Sequence, residues 1–553
     1  MNFKMKTRFF VLAAAALCCL SCVETNSTLG GSFVPVTETY SFHTVEFPLE
    51  GISQQMADNL SGYSNDRITI GSIREPEYGL TRRASAFALI PVIVGDFDLG
   101  KNPEFKRFHF AVERDTISTV DPSQEHILQK VYVYELTDAL DPSKDYDCNK
   151  PIVHGTERIS KGVPVFNGTD SLSFDFSESF GKRFLQLTAD DVKDIETYLA
   201  KFPGIYMETD EPDGEGGRLD LFKVQMAYDK NQGLVMGNYA TLNYSAEFNG
   251  VRKDTALHFY YGATDFYNID SLFSNYTGTF PQYALNFTGQ DTRERAGEAG
   301  DKLWIEGGGG LKPVISARSL KRQVEQAIVQ AGGDPSEAVI NKASLIFPFD
   351  LPEDVESLKD WPYRLSPTCR FTYDDGTTAY MGLTDASSSS ENQGDVDRSL
   401  LRYAPDITYH MQEILKIDES ATDKQQTKNF LAGNYDIWLL VNANEKKTTV
   451  TSASEEELEM MRYMAYSSYY NSMYGGGYGG YGYGGYGGYG YGSYYNNYLT
   501  YQMMYQQLSQ AQTSTSKVVK LDVDRFYCAA LRGPQADAKV PTLRLTFALP
   551  NKE

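Results

Sequence analysis

Residues that carry common enzyme chemistry are scarce in this chain. It has only six histidines and three tryptophans among 553 residues. No two histidines have the HExxH spacing, so a zinc hydrolase lacks its usual ligands, and no GxSxG nucleophile elbow is present. We therefore assign no catalytic residue, metal ligand or cofactor-binding residue, and we expect a protein that is not an enzyme.

Long apolar runs are equally scarce, and the one that stands out lies at the N-terminus. Phe9 to Leu20 is unbroken and follows the basic residues Lys4, Lys6 and Arg8. It is shorter than the ~20 residues that span a bilayer, which is typical of a signal peptide covering residues 1–21. No later run is long enough to span, so any anchor has to be covalent.

The end of that run resembles a lipobox. Leu20-Ser21-Cys22 places a small residue before a cysteine, which predicts cleavage before Cys22 and its modification with diacylglycerol and an N-acyl chain. Cleavage before Cys18 or Cys19, or an ordinary signal peptide, is the alternative. Several acyl chains together hold a protein firmly on a membrane. Residues 22–35 then form a polar tether.

Positively charged residues and cysteines are both few in this chain. Removing residues 1–21 removes three cations and no acid, so the net charge of −22 becomes −25. Such a polyanion repels phosphate backbones, which excludes nucleic acid as a partner. Besides Cys22, only Cys148, Cys369 and Cys528 remain, and these allow at most one disulfide. The fold has to depend on a hydrophobic core.

Short β-type runs dominate the rest of the chain. Lys130–Leu136 and Ser171–Phe176 alternate between apolar and polar residues, as strands with one buried face do. Turn-rich stretches separate such runs, which favours antiparallel sheets over βαβ units. We predict a mainly β protein with two antiparallel, jelly-roll-like β-sandwich domains, residues 36–270 and 271–553.

A few helices interrupt this pattern. A capping-box-like start at Thr188–Asp191 precedes an apolar face that ends at Phe202. Leu320, Val324 and Ile328 form a second apolar stripe. Asp406 is the expected N-cap of a third helix. These faces are interpreted as core-packing faces.

One segment differs from all others in composition. Tyr474 to Gly492 contains only glycine and tyrosine, within a Tyr-, Ser- and Asn-rich stretch at about 466–498. Glycine loses the most entropy on folding, and no apolar period offsets that loss. We expect a disordered loop inserted between two strands. The alternative is an aromatic surface that contacts glycan, cell wall or protein.

Three loops have sequences that partly match known ligand-binding loops. Asp145, Asp147 and Asn149 match the first calcium-loop positions, but the later positions do not match. The acidic stretch Glu208–Glu215 has no fixed ligand spacing. The four glycines before Leu311 lack the ending of a phosphate loop, which favours a tight loop or bulged strand end. A solvated turn is the preferred interpretation of both acidic loops.

Several stretches, taken in order, resemble the Bacteroidetes-type lipoprotein family known as domain of unknown function 4270. The resemblance implies a β-rich lipoprotein of the outer membrane and carries no catalytic residues. The matching stretches are Leu29–Gly31, Ile70–Gly79, Val131–Leu136, Phe202–Tyr206, Gly310–Leu311, Ile340–Leu345, Asp406–Thr408, Arg532–Gly533 and Leu543–Leu549.

Three functions remain to be compared. The first is a non-enzymatic lipoprotein of the outer membrane, periplasmic or on the cell surface, that binds other proteins as an assembly accessory. The second is a surface glycan-binding module, which needs exposed coplanar aromatic side chains. The third is a carboxylate-dependent hydrolase, which needs a carboxylate pair in a cleft. The sequence favours the first.

Overall fold

The computed structural model describes most of the chain after the predicted tether. It covers residues 39–551 apart from 65–66, 94–95, 120–121, 142–143, 145, 225, 230–233, 263–283, 292–294, 352–357, 359–360, 388–391, 452–511, 524 and 526. The predicted signal peptide, Cys22, the tether and the Gly/Tyr stretch lie outside the described residues, so those predictions stay predictions.

The described residues form thirty strands. The first half of the chain contributes β1 (Tyr40–Pro48), β2 (Ile52–Met56), β3 (Tyr63–Ser64), β4 (Arg67–Glu75), β5 (Gly79–Phe87), β6 (Leu89–Pro91), β7 (Lys101–Thr119), β8 (Gln129–Leu136), β9 (His154–Arg158), β10 (Val165–Phe166), β11 (Ser171–Asp175), β12 (Ile205–Thr209), β13 (Gly216–Lys223), β14 (Met226–Asp229), β15 (Leu234–Gly237), β16 (Ala240–Phe248) and β17 (Val251–Tyr261). The second half contributes β18 (Ala284–Gln290), β19 (Gly297–Glu298), β20 (Lys302–Glu306), β21 (Leu311–Ile315), β22 (Val339–Pro348), β23 (Arg364–Thr372), β24 (Thr378–Gly382), β25 (Val396–Asp397), β26 (Arg402–Tyr403), β27 (Ile437–Thr451), β28 (Gln512–Leu521), β29 (Cys528–Arg532) and β30 (Thr542–Pro550).

The described helices are short and lie between strands. They are α1 (Glu178–Phe184), α2 (Ile195–Lys201), α3 (Ala317–Gln330), α4 (Thr384–Ser387), α5 (Thr408–Leu415) and α6 (Gln425–Leu431), with 3₁₀ turns at Pro122–Gln124 and Ala189–Val192. None of these helices has the length and apolar character needed to cross a bilayer.

The first half of the chain, together with β18 from the second half, builds a fourteen-stranded antiparallel sheet around an aromatic core. Its central order is β10-β8-β12-β5-β4-β13-β7-β16-β17-β6. The long strand β7 belongs to two layers, because one end pairs with β13 and the other with β16 and β11. Phe108 and Phe110 of β7 are fully buried between those layers, and α1 and α2 close the core. The predicted mainly β, antiparallel fold class is confirmed.

The second half of the chain builds two further antiparallel sheets. One has the order β1-β30-β22-β26-β25, and the other the order β19-β2-β21-β27-β23-β24 with β28 on β27. Helix α3 packs beneath them with Leu320, Val324 and Ile328 fully buried, as its apolar stripe predicts.

Strand pairing does not follow the predicted division at residue 270. Strands β1 and β2 belong to the predicted first domain by position, yet they pair with β30 and β21 of the second half. Conversely, β18 pairs with β5 of the first half. Tyr40 opposes Pro550, and pairing over such a separation leaves no signal in local sequence patterns.

Two helix predictions needed correction. The capping box at Thr188 is present, since Thr188 N and Oγ1 each lie 2.9 Å from Asp191 Oδ2, but the predicted helix breaks in two before Asp194, which caps α2. Asp406 does not cap α5. Its carboxylate bonds Lys342 and Ser344 instead, and Asp385 accepts hydrogen bonds from the backbone N–H groups at the start of α5.

Candidate functional site

A buried ionic cluster joins the two halves of the chain, centred on Arg295. Its guanidinium lies over the rings of Tyr78 and Trp304, with centroid distances of 5.6 Å and 5.3 Å. Nη2 donates to the carbonyl oxygen of Tyr78 at 2.6 Å and lies 3.0 Å from Glu306 Oε1. Because Tyr78 lies in the β4–β5 turn and Glu306 ends β20, Arg295 binds both halves at once.

Two carboxylates share this cluster. Glu306 is 1% exposed. Burial raises the pKa of Glu306, with Arg295 and Lys312 opposing the shift. Burial, with the nearby Glu306 charge, raises the pKa of Glu75 to about 7. A hydrolase needs its carboxylates to face a substrate cleft. Here Glu306 contacts Arg295 and the backbone N–H of Leu311, which is a packing arrangement.

Glu75 is expected to make stability fall as pH rises. Its pKa is about 7 in the folded state, against an ordinary value of 4.5. The resulting stabilisation of the fold is fully present below pH 4.5 and is lost as pH rises to about 7. At ~1.4 kcal/mol per pKa unit, the contribution is at most about 3 kcal/mol. We expect Glu75→Gln to raise the melting temperature above wild type at pH 8 and to converge with it near pH 5.

The exposed neighbour Glu77 provides the matched control for that measurement. Its side chain is 56% exposed and lies 3.5 Å from Lys302 Nζ. Glu77→Gln should change the pH dependence of the melting temperature much less than Glu75→Gln does, because the Glu77 charge is the smallest of the causes that raise the pKa of Glu75. Identical pH profiles of the melting temperature for Glu75→Gln and wild type would contradict the raised pKa of Glu75.

The run of four glycines is a tight loop that holds an ammonium group. Lys312 is fully buried and donates to the carbonyl oxygens of Gly308 and Gly310 at 2.9 Å, and also to that of Glu306. Burial lowers the pKa of Lys312 to about 8. The N–H groups of Gly307 and Gly308 donate to backbone carbonyls of residues 527 and 522. A phosphate loop presents free N–H groups, so the preferred interpretation as a tight loop is confirmed.

One residue of the candidate calcium loop, Asn149, contacts the same glycine loop. Asn149 Nδ2 donates to the carbonyl oxygens of Ala57 at 2.8 Å and Gly309 at 3.2 Å. Asp147 accepts from the Asn149 N–H at 3.0 Å and lies 3.1 Å from Lys150 Nζ. Asp145 lies outside the described residues. Within the described part of the chain, no group of three or more His, Cys, Asp or Glu side chains could hold a metal ion.

The cysteines also have packing roles. Cys148, Cys369 and Cys528, all within the described ranges, form no disulfide. Burial raises the pKa of Cys148 to about 11 and that of Cys369 to about 12. Both groups are therefore protonated thiols at neutral pH and behave as small apolar side chains.

Aromatic side chains mostly contact one another. Among the described residues, Tyr134, His154 and Tyr206 form one stack, with neighbouring centroids 4.7 Å and 4.4 Å apart. His154 covers Tyr206, which is 4% exposed. A glycan-binding platform needs open ring faces, and this stack offers little such area. The glycan hypothesis therefore gains no support from it.

Strand β1 forms one edge of its sheet, because among the described residues it pairs only with β30. The N–H of Asn551 donates to Thr39 O, and the N–H of Leu49 donates to Pro541 O. Both bonds are made by odd-numbered residues, so the odd-numbered residues of β1 direct their backbone N–H and C=O groups toward β30. In an antiparallel ladder the alternate residues direct N–H and C=O the other way. Tyr40, Phe42, Thr44 and Glu46 therefore point their backbone polar groups away from β30.

The outer face of this sheet carries an apolar surface that we call the edge patch, formed by Tyr40, Phe42 and Val339. Phe42 and Val339 both oppose Ala548, one from each neighbouring strand. Phe42 is 69% exposed and Tyr409 59%. Val339 and Tyr409 also line a cleft of about 600 Å³. Exposed aromatic residues grouped in this way are typical of protein interaction sites.

A two-stranded ribbon leaves the other sheet. Residues 437–442 of β27 pair with β23, but from Ala443 to Thr451 the described partner of β27 is β28 alone. Nine residues at ~3.4 Å each make a ribbon of about 30 Å. Thr451 opposes Gln512 at its end, so the Gly/Tyr stretch is joined to the chain there. The strands that flank the stretch in sequence are therefore paired, whereas the predicted disordered loop stays a prediction.

Comparison with known proteins adds no further assignment. No protein-family model, curated protein or solved structure matches the chain. The likeness to domain of unknown function 4270 stays a resemblance of short stretches. Sequence patterns missed the Arg295 cluster because isolated Glu and Arg residues look like surface charges. The only available signal was the glycine run between Glu306 and Lys312.

Proposed function

We propose that this chain is a non-enzymatic lipoprotein, anchored through Cys22 at the outer membrane, that binds other envelope proteins as an assembly accessory. The ribbon formed by β27 and β28 is the observation that carries the proposal. The ribbon has a largely polar sequence, its two described strands pair with each other beyond Asn442, and a tyrosine-rich segment joins them in sequence. Tyrosine offers a large contact area at low entropic cost, which suits a binding segment.

Deletion of the inserted segment tests this proposal. Because Thr451 and Gln512 are paired, an Asn-Gly turn can replace residues 452–511 and close the hairpin. We expect the melting temperature to stay within about 2 °C of wild type, since the described core is untouched. We expect the yield of crosslinks to envelope proteins to fall at least tenfold, as quantified by mass spectrometry of the lipidated protein in its own membrane.

A length-matched variant separates tyrosine from mere chain length. In this control each tyrosine between residues 474 and 492 becomes serine and every glycine stays. The control should lose crosslinks as the deletion does. If the deletion variant keeps the wild-type crosslinks, the ribbon is not the binding element and the proposal loses its support.

A further inference from the structure

We propose that the open edge of β1 is a strand-addition site for an extended segment of a partner protein. This inference rests on the proposed function and names a second contact for it. The backbone groups of Tyr40, Phe42, Thr44 and Glu46 point away from β30. Such a row of N–H and C=O groups is a template for another β-strand, because only extended backbone matches its spacing.

The side chains of β1 define the chemistry of the added strand. On the core side, Val45 and Phe47 are only partly buried although they pack against the second core. An added strand with apolar residues at the facing positions would extend that core. On the outer side, Tyr40 and Phe42 are 51% and 69% exposed and favour apolar neighbours.

Strand β30 displays the side-chain pattern that β1 accepts. Its core face carries Leu543, Leu545 and Phe547, all fully buried. Its outer face ends in Ala548 and Pro550, which oppose Phe42 and Tyr40. We therefore expect the partner segment to alternate in the same way, with apolar residues on one face throughout and on both faces at the Tyr40 end.

The position and charge of the chain favour a different protein over a second copy. Seventeen residues separate Cys22 from Tyr40 in sequence. At ~3.5 Å per residue they reach at most about 60 Å, so the edge stays near the membrane surface. Two copies of the cleaved chain with a net charge of −25 each repel one another. The occupant that fits is an extended segment of a membrane-associated partner.

Hydrogen–deuterium exchange of the full-length lipidated protein in mild detergent tests the site. The probe is a synthetic peptide with the β30 sequence, Thr542–Pro550, and its scrambled form is the control. We expect saturable slowing of exchange at the amides of Tyr40, Phe42, Thr44 and Glu46 with the first peptide only. Equal effects of both peptides, or edge amides that already exchange slowly without peptide, would overturn the proposal.

Two substitutions at one position make the test specific. Thr44→Pro removes an outward N–H and leaves the β30 side of the ladder intact, whereas Thr44→Val keeps the N–H. We expect at least tenfold weaker peptide binding for Thr44→Pro and a change within twofold for Thr44→Val. Unchanged melting temperatures would show that both variants fold. Equal affinity of the two variants would contradict strand addition.

Crosslinking of the same variants separates this proposal from the proposed function. Loss of envelope crosslinks in Thr44→Pro supports the edge as a partner site. Crosslinks that persist in Thr44→Pro overturn the edge proposal and leave the proposed function standing. If the wild-type protein forms a dimer and Thr44→Pro is monomeric, the added strand belongs to a second copy of this chain. That result would overturn the proposed partner protein. Peptide binding with no envelope partner in any variant would count against the proposed function alone.

Discussion

Replacing Arg295 with alanine is expected to lower the free energy of unfolding by about 3–5 kcal/mol, because it removes the counter-charge that lies against a buried carboxylate. Glu306 is 1% exposed and loses the guanidinium 3.0 Å away, although the charge of Lys312 stays nearby. The Tyr78 and Trp304 rings also lose the cation that lies over both of them. At ~2–4 °C per kcal/mol, the melting temperature should fall by roughly 6–20 °C.

The surface arginine Arg322 provides the matched control. Its side chain is 63% exposed, and its Nη2 lies 3.6 Å from an equally exposed Glu50 carboxylate. Surface ion pairs contribute about 0–1 kcal/mol, so Arg322→Ala should shift the melting temperature by no more than a few degrees. The cost of Arg295→Ala should also shrink as pH falls, because burial raises the pKa of Glu306 and a protonated carboxyl group no longer needs the counter-charge. Equal effects of the two substitutions would refute the role of Arg295 at the junction.

The second large effect is expected at Arg218, which is buried in the first half of the chain with no exposed surface. Nε lies 2.7 Å from Asp220 Oδ1, and Nη1 donates to the carbonyl oxygens of Glu125 and Ile127 at 2.9 Å and 2.8 Å. Burial raises the pKa of Asp220 to about 6 even with Arg218 present. We expect Arg218→Met to cost about 3–5 kcal/mol, measured by thermal or urea unfolding.

A double substitution checks the reason for that loss. Arg218→Met combined with Asp220→Leu removes both charges, and pairs replaced by apolar residues often regain stability. The double variant should therefore be more stable than Arg218→Met alone. The carbonyl oxygens of Glu125 and Ile127 lose their donor in both variants, so limited proteolysis should cut the 122–127 segment faster in both. A double variant less stable than the single variant would show that charge burial is not the cause.

Local features of the fold were predictable because local patterns encode them. The alternation in Lys130–Leu136 is the burial pattern of β8, where Val131 and Val133 are fully buried. The apolar stripe of Leu320, Val324 and Ile328 likewise predicts the buried face of α3. Strand β1 alternates too, but its partner lies some 500 residues away in sequence. Because pairing over such a distance depends on the complete fold, the domain boundaries could not be derived from the sequence.

The candidate sites were less predictable than the fold. Arg295, Glu75 and Glu306 come from three separate segments, and each looks like an ordinary surface charge in its own sequence context. The edge patch likewise combines Tyr40 and Phe42 with Val339, which lies some 300 residues further along the chain. Exposure decides whether an aromatic residue is a core residue or a contact residue, and exposure is a property of the tertiary structure.

Isolation of the lipidated protein in mild detergent, with its mass measured by light scattering, tests the central claim most directly. The account predicts a stable complex with another envelope protein in a fixed ratio, and the complex should dissociate when residues 452–511 are replaced by a two-residue turn. A lone monomer, together with crosslinking that finds no neighbour in the native membrane, would contradict the claim that this lipoprotein acts by binding other proteins.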